Sequence, residues 1–232
     1  MRTLSVASLG AIDYAAALEL QGAMMHARYQ DQIGDTLLLL EHPHVYTLGR
    51  GADDRYLLAP PPGVPIHRVS RGGQVTYHGP GQLIGYPILK LEGADRDVIL
   101  YLRKLEDAIV SALATFGIAA GRRQGLTGVW AGPLKIASIG VGLRRWVTLH
   151  GFALNVTTDL RYFDAIVPCG IEGCRMTSIA GLGHRDISVA TFARAMRTSF
   201  AATFGYDSTA EVTRESILKL VDLTVAGCEA RS

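Results

Sequence analysis

The 232-residue sequence predicts an α/β fold of the α+β kind, in which helices flank a mixed or mostly antiparallel sheet. Three consecutive stretches rich in β-branched and apolar residues are separated only by short turns, and strands joined in this way must be antiparallel. Three other segments carry apolar residues at helical spacing. A doubly wound parallel sheet would need a helix after nearly every strand, and the sequence does not alternate in this way.

The first helix is predicted to follow Asp13, because its carboxylate can accept hydrogen bonds from the free amides of a first helical turn. One face of this helix is predicted to be buried and consists of Ala17, Leu20, Met24 and Ala27. The next segment, Thr36 to Glu41, is short and almost continuously apolar. This pattern is typical of a buried strand.

The second and third helices have the clearest periodicity. In the second, Gly117 can end a series of apolar residues that consists of Val98, Leu102, Leu105, Ile109, Leu113 and Phe116. The third is predicted to begin at Ser188 and to end near Gly205, with an inward face of Val189, Phe192, Met196, Phe200 and Phe204.

Strands are predicted between these two helices, over Leu126 to Ala131, Leu134 to Gly142 and Trp146 to Val156. Gly132-Pro133 and Arg144-Arg145 supply the turns. We expect a single catalytic domain over residues 1–232, with its core at about 13–204 and a C-terminal tail, 205–232, that carries no recognisable pattern.

Composition excludes several classes of protein. With 48% hydrophobic and 19% charged residues the chain can bury a core, and a net charge of +2 is too small to indicate a nucleic-acid-binding protein. The run Leu37 to Leu40 is too short to span a membrane, and the first ten residues do not resemble a signal peptide. Because the three cysteines form no disulfide framework, we expect free thiols and a cytoplasmic location.

Lys135 is the first candidate functional residue. On a strand it shares a face with Ala137 and Ile139, so an ammonium there loses hydration unless it is paired or its pKa falls. A buried lysine of this kind can act as an acid and base. The alternative is a strand-edge lysine whose head group reaches water, because Lys135 lies only two residues after the turn. Spacing alone favours this alternative.

Cys169 is the candidate nucleophile, because Pro168 and Gly170 frame it in a geometry suited to displaying a side chain on a tight turn. The amides that follow such a turn could also face a developing oxyanion. Without other signals, however, a buried structural cysteine is the more common case. Cys174 lacks the proline–glycine frame and is interpreted as a packing residue, and Cys228 lies in the polar tail.

The most distinctive segment is Arg71 to Gln82, which has four glycines in twelve residues and therefore allows the backbone to approach a ligand closely. It offers polar contacts from Arg71, Thr76, Tyr77 and His78. The glycine spacing matches neither a dinucleotide fingerprint nor a Walker A loop. A binding function for this segment is favoured over a plain hairpin.

The histidines do not predict a metal site. His42 and His44 have no cysteine or carboxylate cluster at ligand spacing, and we interpret them as pocket or loop residues. His150 and Asn155 fall on opposite faces of one strand, so they should not line one pocket unless a bulge intervenes.

Several motifs together resemble a known family, the octanoyl-[acyl-carrier-protein]–protein N-octanoyltransferases of lipoate biosynthesis. The resemblance extends from about residue 13 to about residue 204. It rests on Glu41-His-Pro43 with Tyr46-Thr-Leu-Gly-Arg50, Arg71-Gly-Gly-Gln-Val-Thr-Tyr-His-Gly-Pro-Gly-Gln82, Lys135-Ile-Ala-Ser-Ile-Gly140, His150-Gly-Phe-Ala-Leu-Asn155 and Pro168-Cys-Gly170.

The resemblance implies the single-domain fold of biotin and lipoate protein ligases. It implies that Cys169 carries the acyl thioester and that Lys135 lowers the pKa of this cysteine. It also implies the substrate-binding residues Arg71, Gly72, Gly73, Gln74, Val75, Thr76, Tyr77, His78, Ser138, Ile139, Gly140, Gly151, Phe152 and Ala153. Small side chains in the last two groups fit a slot for an acyl chain.

The implied reaction is the first step of endogenous protein lipoylation, an acyl transfer without cofactor or metal. The donor would be octanoyl-acyl carrier protein, and the acceptors would be lysines of lipoyl domains in 2-oxoacid dehydrogenase E2 subunits and of the glycine-cleavage H protein. No nucleic acid or membrane is implied. The alternatives are an ATP-dependent lipoate or octanoate ligase, an amidotransferase between lipoyl-type proteins, and a non-enzymatic binding module.

Both protein partners implied by the resemblance are acidic. A basic docking rim could therefore consist of Arg122, Arg123, Arg144 and Arg145. A pair of solvated loops explains the same residues equally well.

Overall fold

The computed structural model describes residues 1–219, which form two sheets, three long α-helices and a further helical stretch over residues 214–219. The large sheet has eight strands in the order β11-β1-β2-β6-β10-β9-β8-β7. Their bounds are β1 Thr3–Ala11, β2 Thr36–Glu41, β6 Gln82–Ile88, β7 Gly121–Arg123, β8 Leu126–Ala131, β9 Leu134–Arg144, β10 Val147–Asn155 and β11 Ser208–Glu211. The small sheet has the order β4-β3-β5, with β3 Val45–Leu48, β4 Ile66–Arg68 and β5 Thr76–His78.

The large sheet is mixed, as predicted. Strand β1 pairs in parallel with β2 and β11. The pairs β2–β6, β6–β10, β10–β9, β9–β8 and β8–β7 are antiparallel. The prediction that short turns join antiparallel neighbours is confirmed for β8, β9 and β10, which are adjacent both in the chain and in the sheet.

The helices cover both faces of the large sheet. Helix α1 (Tyr14–Tyr29) packs on one face, and α2 (Val98–Ala114) and α3 (Val189–Phe204) pack on the other. The predicted caps are confirmed, because the Asp13 carboxylate accepts from the amides of Ala15 and Ala16 and Ser188 caps α3. Gly205 ends α3 with a φ of 70°.

Two details of the sequence predictions differ from the structure. Val98 is 39% exposed and Leu102 is only half-buried, because the first turn of α2 extends beyond the core. Strands β1 and β11 both lie outside the predicted core of about 13–204, and they pair with each other in the large sheet. Residues 220–232, with Cys228, lie outside the described residues. No helix within residues 1–219 combines the length and the apolar character needed to cross a membrane.

Candidate active site

Cys169 lies on a short turn with its backbone in the left-handed region, at φ 58° and ψ 15°. A non-glycine residue in this region is strained by about 1–3 kcal/mol, and such strain persists only where surrounding contacts enforce it. Here the Cys169 amide donates to the Val75 carbonyl at 3.1 Å. At Gly170 an added Cβ would lie 2.8 Å from Gln74 Cγ, so the turn packs closely on the glycine-rich segment. The thiol remains partly exposed.

Lys135 lies beside this thiol. Its Nζ is 3.3 Å from Cys169 Sγ, donates to the Thr127 carbonyl at 3.1 Å, and lies 4.7 Å from the centre of the Trp130 ring. The residue is 0% exposed. The two residues expected to act together are therefore in contact in the structure.

The strand-edge alternative for Lys135 is therefore wrong. The segment 175–177 crosses beside Lys135, whose amide donates to the Arg175 carbonyl at 2.9 Å and whose carbonyl accepts from the Thr177 amide at 2.8 Å. This cover comes from residues about forty positions later in the chain, so local spacing could not reveal it. Among residues 1–219 no carboxylate forms an ion pair with the ammonium. The anion best placed to balance its charge is a Cys169 thiolate.

Gly128 makes room for the lysine, and sequence reasoning missed it. Its φ is +130°, and an added Cβ would lie 2.6 Å from the Ala137 carbonyl oxygen and 2.8 Å from Lys135 Cε. A lone glycine inside a predicted strand is the signal that could have indicated this close approach.

A cavity of about 230 Å³ opens beside Cys169, between β9, β10 and the glycine-rich segment. This is smaller than pockets for drug-sized ligands, which measure roughly 300–1,000 Å³. The predicted residues that line it are Arg71, Gly73, Gln74, Thr76, His78, Ser138, Ile139, Gly140, Gly151, Phe152, Ala153 and Cys169. The prediction missed others that line it, namely Tyr14, Tyr86, Gly125, Leu126, Thr127, His150 and Ile171.

Three predicted substrate-binding residues do not line this cavity. The Gly72 amide donates to the Val141 carbonyl, and the Val75 carbonyl accepts from Cys169. The Tyr77 hydroxyl is 2.7 Å from His44 Nδ1, and its ring stacks on Tyr162. These residues hold the glycine-rich segment in place.

The structure gives a different reason from the predicted one for the presence of glycine at positions 140 and 151. An added Cβ at Gly151 would lie 2.1 Å from the Gly85 carbonyl oxygen, and at Gly140 it would lie 3.0 Å from Arg71 Cδ. Both positions therefore allow neighbouring groups to approach, and their missing side chains do not form the slot themselves.

Arg71 is a buried cation at the cavity wall. It donates to the carbonyls of Gly72, Gln74 and Thr47 and to the Thr47 hydroxyl, at 2.7–3.0 Å. Its burial lowers the pKa of the guanidinium. Three polar atoms of cavity-lining residues have no partner among the described residues: Arg71 Nε, Thr76 Oγ1 and His150 Nδ1. They suit the polar end of a ligand.

The histidines around the cavity are neutral. Burial lowers the pKa of His78 to about 3 and the pKa values of His42 and His150 to about 4. His42 Nδ1 donates to the Ile12 carbonyl, and its Nε2 accepts from the Tyr86 hydroxyl. His150 lines the cavity with a φ of 58°, whereas Asn155 does not line it, as their opposite strand faces predicted.

The amides expected to face an oxyanion are already used. The Gly170 amide donates to Val167 at 3.0 Å and the Ile171 amide to Pro168 at 3.1 Å. The donors nearest to the thiol are instead the Lys135 ammonium and the Ser138 hydroxyl, whose Oγ is 3.7 Å from Cys169 Sγ.

Cys174 is half-buried and does not line the cavity. Burial raises the pKa of its thiol, which disfavours the reactive thiolate form. Its amide donates to the Ile171 carbonyl, so its backbone helps to close the turn after Cys169. Within residues 1–219, no group of three or more histidine, cysteine or acidic residues could hold a metal ion.

The four arginines of the predicted rim differ in their surroundings. Arg122 forms ion pairs with Glu106 and Asp107, and Arg145 lies over the Tyr29 ring. Arg123 and Arg144 are exposed and form no ion pair among the described residues. Arg123 pairs across the sheet with Leu126, which lines the cavity.

Comparisons with known proteins identify the family and the fold of the chain. A family described as the lipoyl protein ligase A/B catalytic domain matches residues 13–201. The octanoyltransferase of Solibacter usitatus is 55% identical over 190 residues, which are 80% of this chain and 86% of that protein.

Solved structures share the fold at low identity. Lipoate-protein ligase A bound with ATP has a TM-score of 0.69 at 22% identity, over 96% of this chain and 93% of that one. A bi-partite lipoate protein ligase from Thermoplasma acidophilum, analysed with its E2 lipoyl domain, has a TM-score of 0.69 at 20% identity, over 96% and 91%. The predicted ligase-like fold is confirmed, and the chain belongs to the lipoyl protein ligase A/B catalytic domain family and, within it, to the octanoyltransferases.

Proposed function

We propose that this octanoyltransferase moves an octanoyl group from octanoyl-acyl carrier protein to a lysine of a lipoyl domain, through a thioester on Cys169. The observation that supports this most is the 3.3 Å contact between Lys135 Nζ and Cys169 Sγ at the edge of the cavity. A cation beside a cysteine favours the thiolate, which is the nucleophilic form.

In the first step the Cys169 thiolate attacks the thioester carbonyl of the donor. The carbon–sulfur bond to the carrier breaks, and the departing thiolate takes a proton from the Lys135 ammonium. One thioester replaces another at little net change in free energy, so no nucleotide is needed.

In the second step the neutral amine of the acceptor lysine attacks the Cys169 thioester. Lys135, now neutral, takes the proton that the amine loses, and the Cys169 thiolate departs. The product is an amide, which is more stable than a thioester, so this step runs downhill.

The cavity would hold the acyl chain. We assign its substrate-binding role to the lining residues of the glycine-rich segment, to Ser138–Gly140 and to Gly151–Ala153. Ser138 and Lys135 would donate to the carbonyl oxygen as negative charge develops on it. Gly72, Val75 and Tyr77 would act indirectly, by fixing the backbone of the segment.

The proposal extends to partners and location. The acceptors would be the lipoyl domains of 2-oxoacid dehydrogenase E2 subunits and the glycine-cleavage H protein, and the reaction would take place in the cytoplasm. We further propose that one catalytic domain carries out both steps.

A comparison of three donors tests this function. Octanoyl-acyl carrier protein without ATP, free octanoate with ATP and magnesium, and an octanoylated lipoyl protein are each incubated with the enzyme and an unmodified lipoyl domain. We expect modification of the acceptor with the first donor alone. Modification only with octanoate and ATP would identify a ligase, and modification only with the octanoylated protein would identify an amidotransferase.

A further inference from the structure

A chain of buried polar side chains runs from Arg71 to the segment beside Lys135, and two of its members, Gln82 and Asn155, have no part in the proposed chemistry. Its central members are Gln82 and Asn155, each 1% exposed, and His78, which is 7% exposed. Buried amides of this kind are retained only where their hydrogen bonds are satisfied. Their hydrogen-bond partners lead to Lys135 on one side and to Arg71 on the other.

On one side the chain reaches the lysine. Gln82 Nε2 donates to Asn155 Oδ1 at 2.8 Å, and Asn155 Nδ2 donates to the Thr177 carbonyl at 2.9 Å. The Thr177 amide in turn donates to the Lys135 carbonyl at 2.8 Å. Asn155 therefore holds the segment that covers Lys135.

On the other side the chain reaches the buried arginine. Since Gln82 donates through Nε2, its Oε1 is an acceptor, and His78 Nδ1 must carry the proton that bridges their 2.9 Å contact. His78 Nε2 is then an acceptor, 3.4 Å from the Thr47 hydroxyl. That hydroxyl accepts from Arg71 at 2.8 Å and has its own proton free for His78.

All of these bonds point in one direction. In each hydrogen bond the donor belongs to the group nearer to Arg71 along the chain, and the acceptor belongs to the group nearer to Lys135. Each side chain between them must therefore both accept and donate. The orientation of the Gln82 amide is fixed a second time, because Nε2 also donates to the Tyr77 carbonyl at 3.3 Å. A carboxylate at position 82 or 155 keeps the shape but cannot donate.

We propose that Gln82 and Asn155 are positioning residues that hold the Lys135 backbone, and through it the ammonium, within reach of Cys169. This inference rests on the role of Lys135 in the proposed function. It does not depend on the identity of the acyl donor.

The test compares Gln82→Glu and Asn155→Asp with Gln32→Glu, an equivalent change at an exposed position. All variants carry Cys174→Ala and Cys228→Ala, so that iodoacetamide reports Cys169 alone. The alkylation rate is measured against pH, and octanoyl transfer is measured as kcat and KM.

We expect the alkylation midpoint of both buried variants to rise by about one pH unit, because an opposite charge that moves away no longer favours the thiolate. We expect kcat to fall roughly 10- to 100-fold with little change in KM, as for a catalytic group displaced by about 1 Å. The Gln32→Glu variant should match the parent. Partial recovery of Gln82→Glu at low pH, where the introduced carboxyl is protonated and can donate, would support the assignment further.

An unchanged midpoint and an unchanged kcat in either folded variant would overturn the proposal, and so would a rise in KM alone. If thermal unfolding shows that a carboxylate variant does not fold, Gln82→Met, which also lacks the donor, decides the question in the same assays. Alkylation needs no acyl donor. If the parent enzyme transferred no octanoyl group, the proposed function would fail while the midpoint shift would still test the positioning role.

Discussion

Lys135 Nζ and Cys169 Sγ lie 3.3 Å apart although the two residues are 34 positions apart in the chain. The lysine is the second residue of β9, and the amide of the cysteine donates a hydrogen bond to the Val75 carbonyl of the glycine-rich segment. The contact therefore depends on two independent supports. Each of them can be tested separately.

Replacing Lys135 by methionine should remove the charge and keep most of the packing. We expect octanoyl transfer to fall by about 10²- to 10⁴-fold, the range for loss of a general acid–base group. The pH midpoint of Cys169 alkylation should rise. The control is Lys104→Met, a half-buried lysine of α2 that forms an ion pair with Asp95 and lies outside the cavity lining. A variant at position 135 with normal transfer and a normal midpoint would show that the ammonium has no part in either.

Gly128→Ala tests the space beside the lysine. The new Cβ would clash with the Ala137 carbonyl and with Lys135 Cε, so we expect transfer to fall at least tenfold, as misplacement of a catalytic group implies. Gly132→Ala is a matched control, because Gly132 also has a positive φ but has nothing within 4 Å of its added Cβ. Equal losses in the two variants would mean that backbone strain, and not the lysine, explains the effect.

Gly151→Ala distinguishes two reasons for glycine at this position, namely close approach of the Gly85 carbonyl and space for the acyl chain. Because the Cβ would meet the Gly85 carbonyl, we expect the variant to be destabilised by about 1–3 kcal/mol, the usual range for overpacking. Chain-length preference should stay unchanged in the protein that remains folded. Gly22→Ala, with open space in helix α1, should keep or raise the unfolding temperature. A stable Gly151→Ala variant that prefers shorter acyl chains would restore the slot explanation.

Stability should depend on pH through three buried histidines. Burial lowers the folded-state pKa of His78 to about 3 and of His42 and His150 to about 4, whereas the unfolded chain takes up these protons near pH 6.5. The unfolded state therefore binds more protons as the pH falls below 6.5, and folding stability declines toward pH 4. Urea unfolding at several pH values measures the slope, which His42→Gln should reduce. A flat profile between pH 6.5 and 4 would contradict neutral burial of the histidines.

The basic rim makes a prediction about association. Arg122 is already paired with Glu106 and Asp107, so we expect Arg123→Gln to raise the KM for the carrier-protein donor more than Arg122→Gln does. The difference should shrink as salt rises, and neither variant should affect a small thioester donor. An equal effect on both donors would place Arg123 in the acyl site instead of a docking surface.

The sequence predicts best what depends on neighbouring residues. Asp13 and Ser188 define the starts of α1 and α3 by capping, and the turn at Gly132 defines the antiparallel pair β8 and β9. The glycine-rich segment and Cys169 are recognisable because unusual residues are close together in the chain.

The sequence does not reveal contacts between segments that are far apart in the chain. Strands β1 and β11 pair across about 200 residues, and the short strands β3, β4 and β5 have no periodicity of their own. The burial of Lys135 depends on the distant segment 175–177, and the need for glycine at position 151 comes from the Gly85 carbonyl on another strand. These features follow from packing between strands, so no local pattern records them.

The central claim is that Cys169 carries the acyl group, and intact-mass measurement tests it most directly. Wild type, Cys169→Ala and Cys174→Ala are each mixed with octanoyl-acyl carrier protein, without an acceptor. We predict one octanoyl adduct on wild type and on Cys174→Ala, removed by hydroxylamine as a thioester is, and none on Cys169→Ala. An adduct that persists in Cys169→Ala and disappears in Cys174→Ala would contradict the account and assign the nucleophile to Cys174.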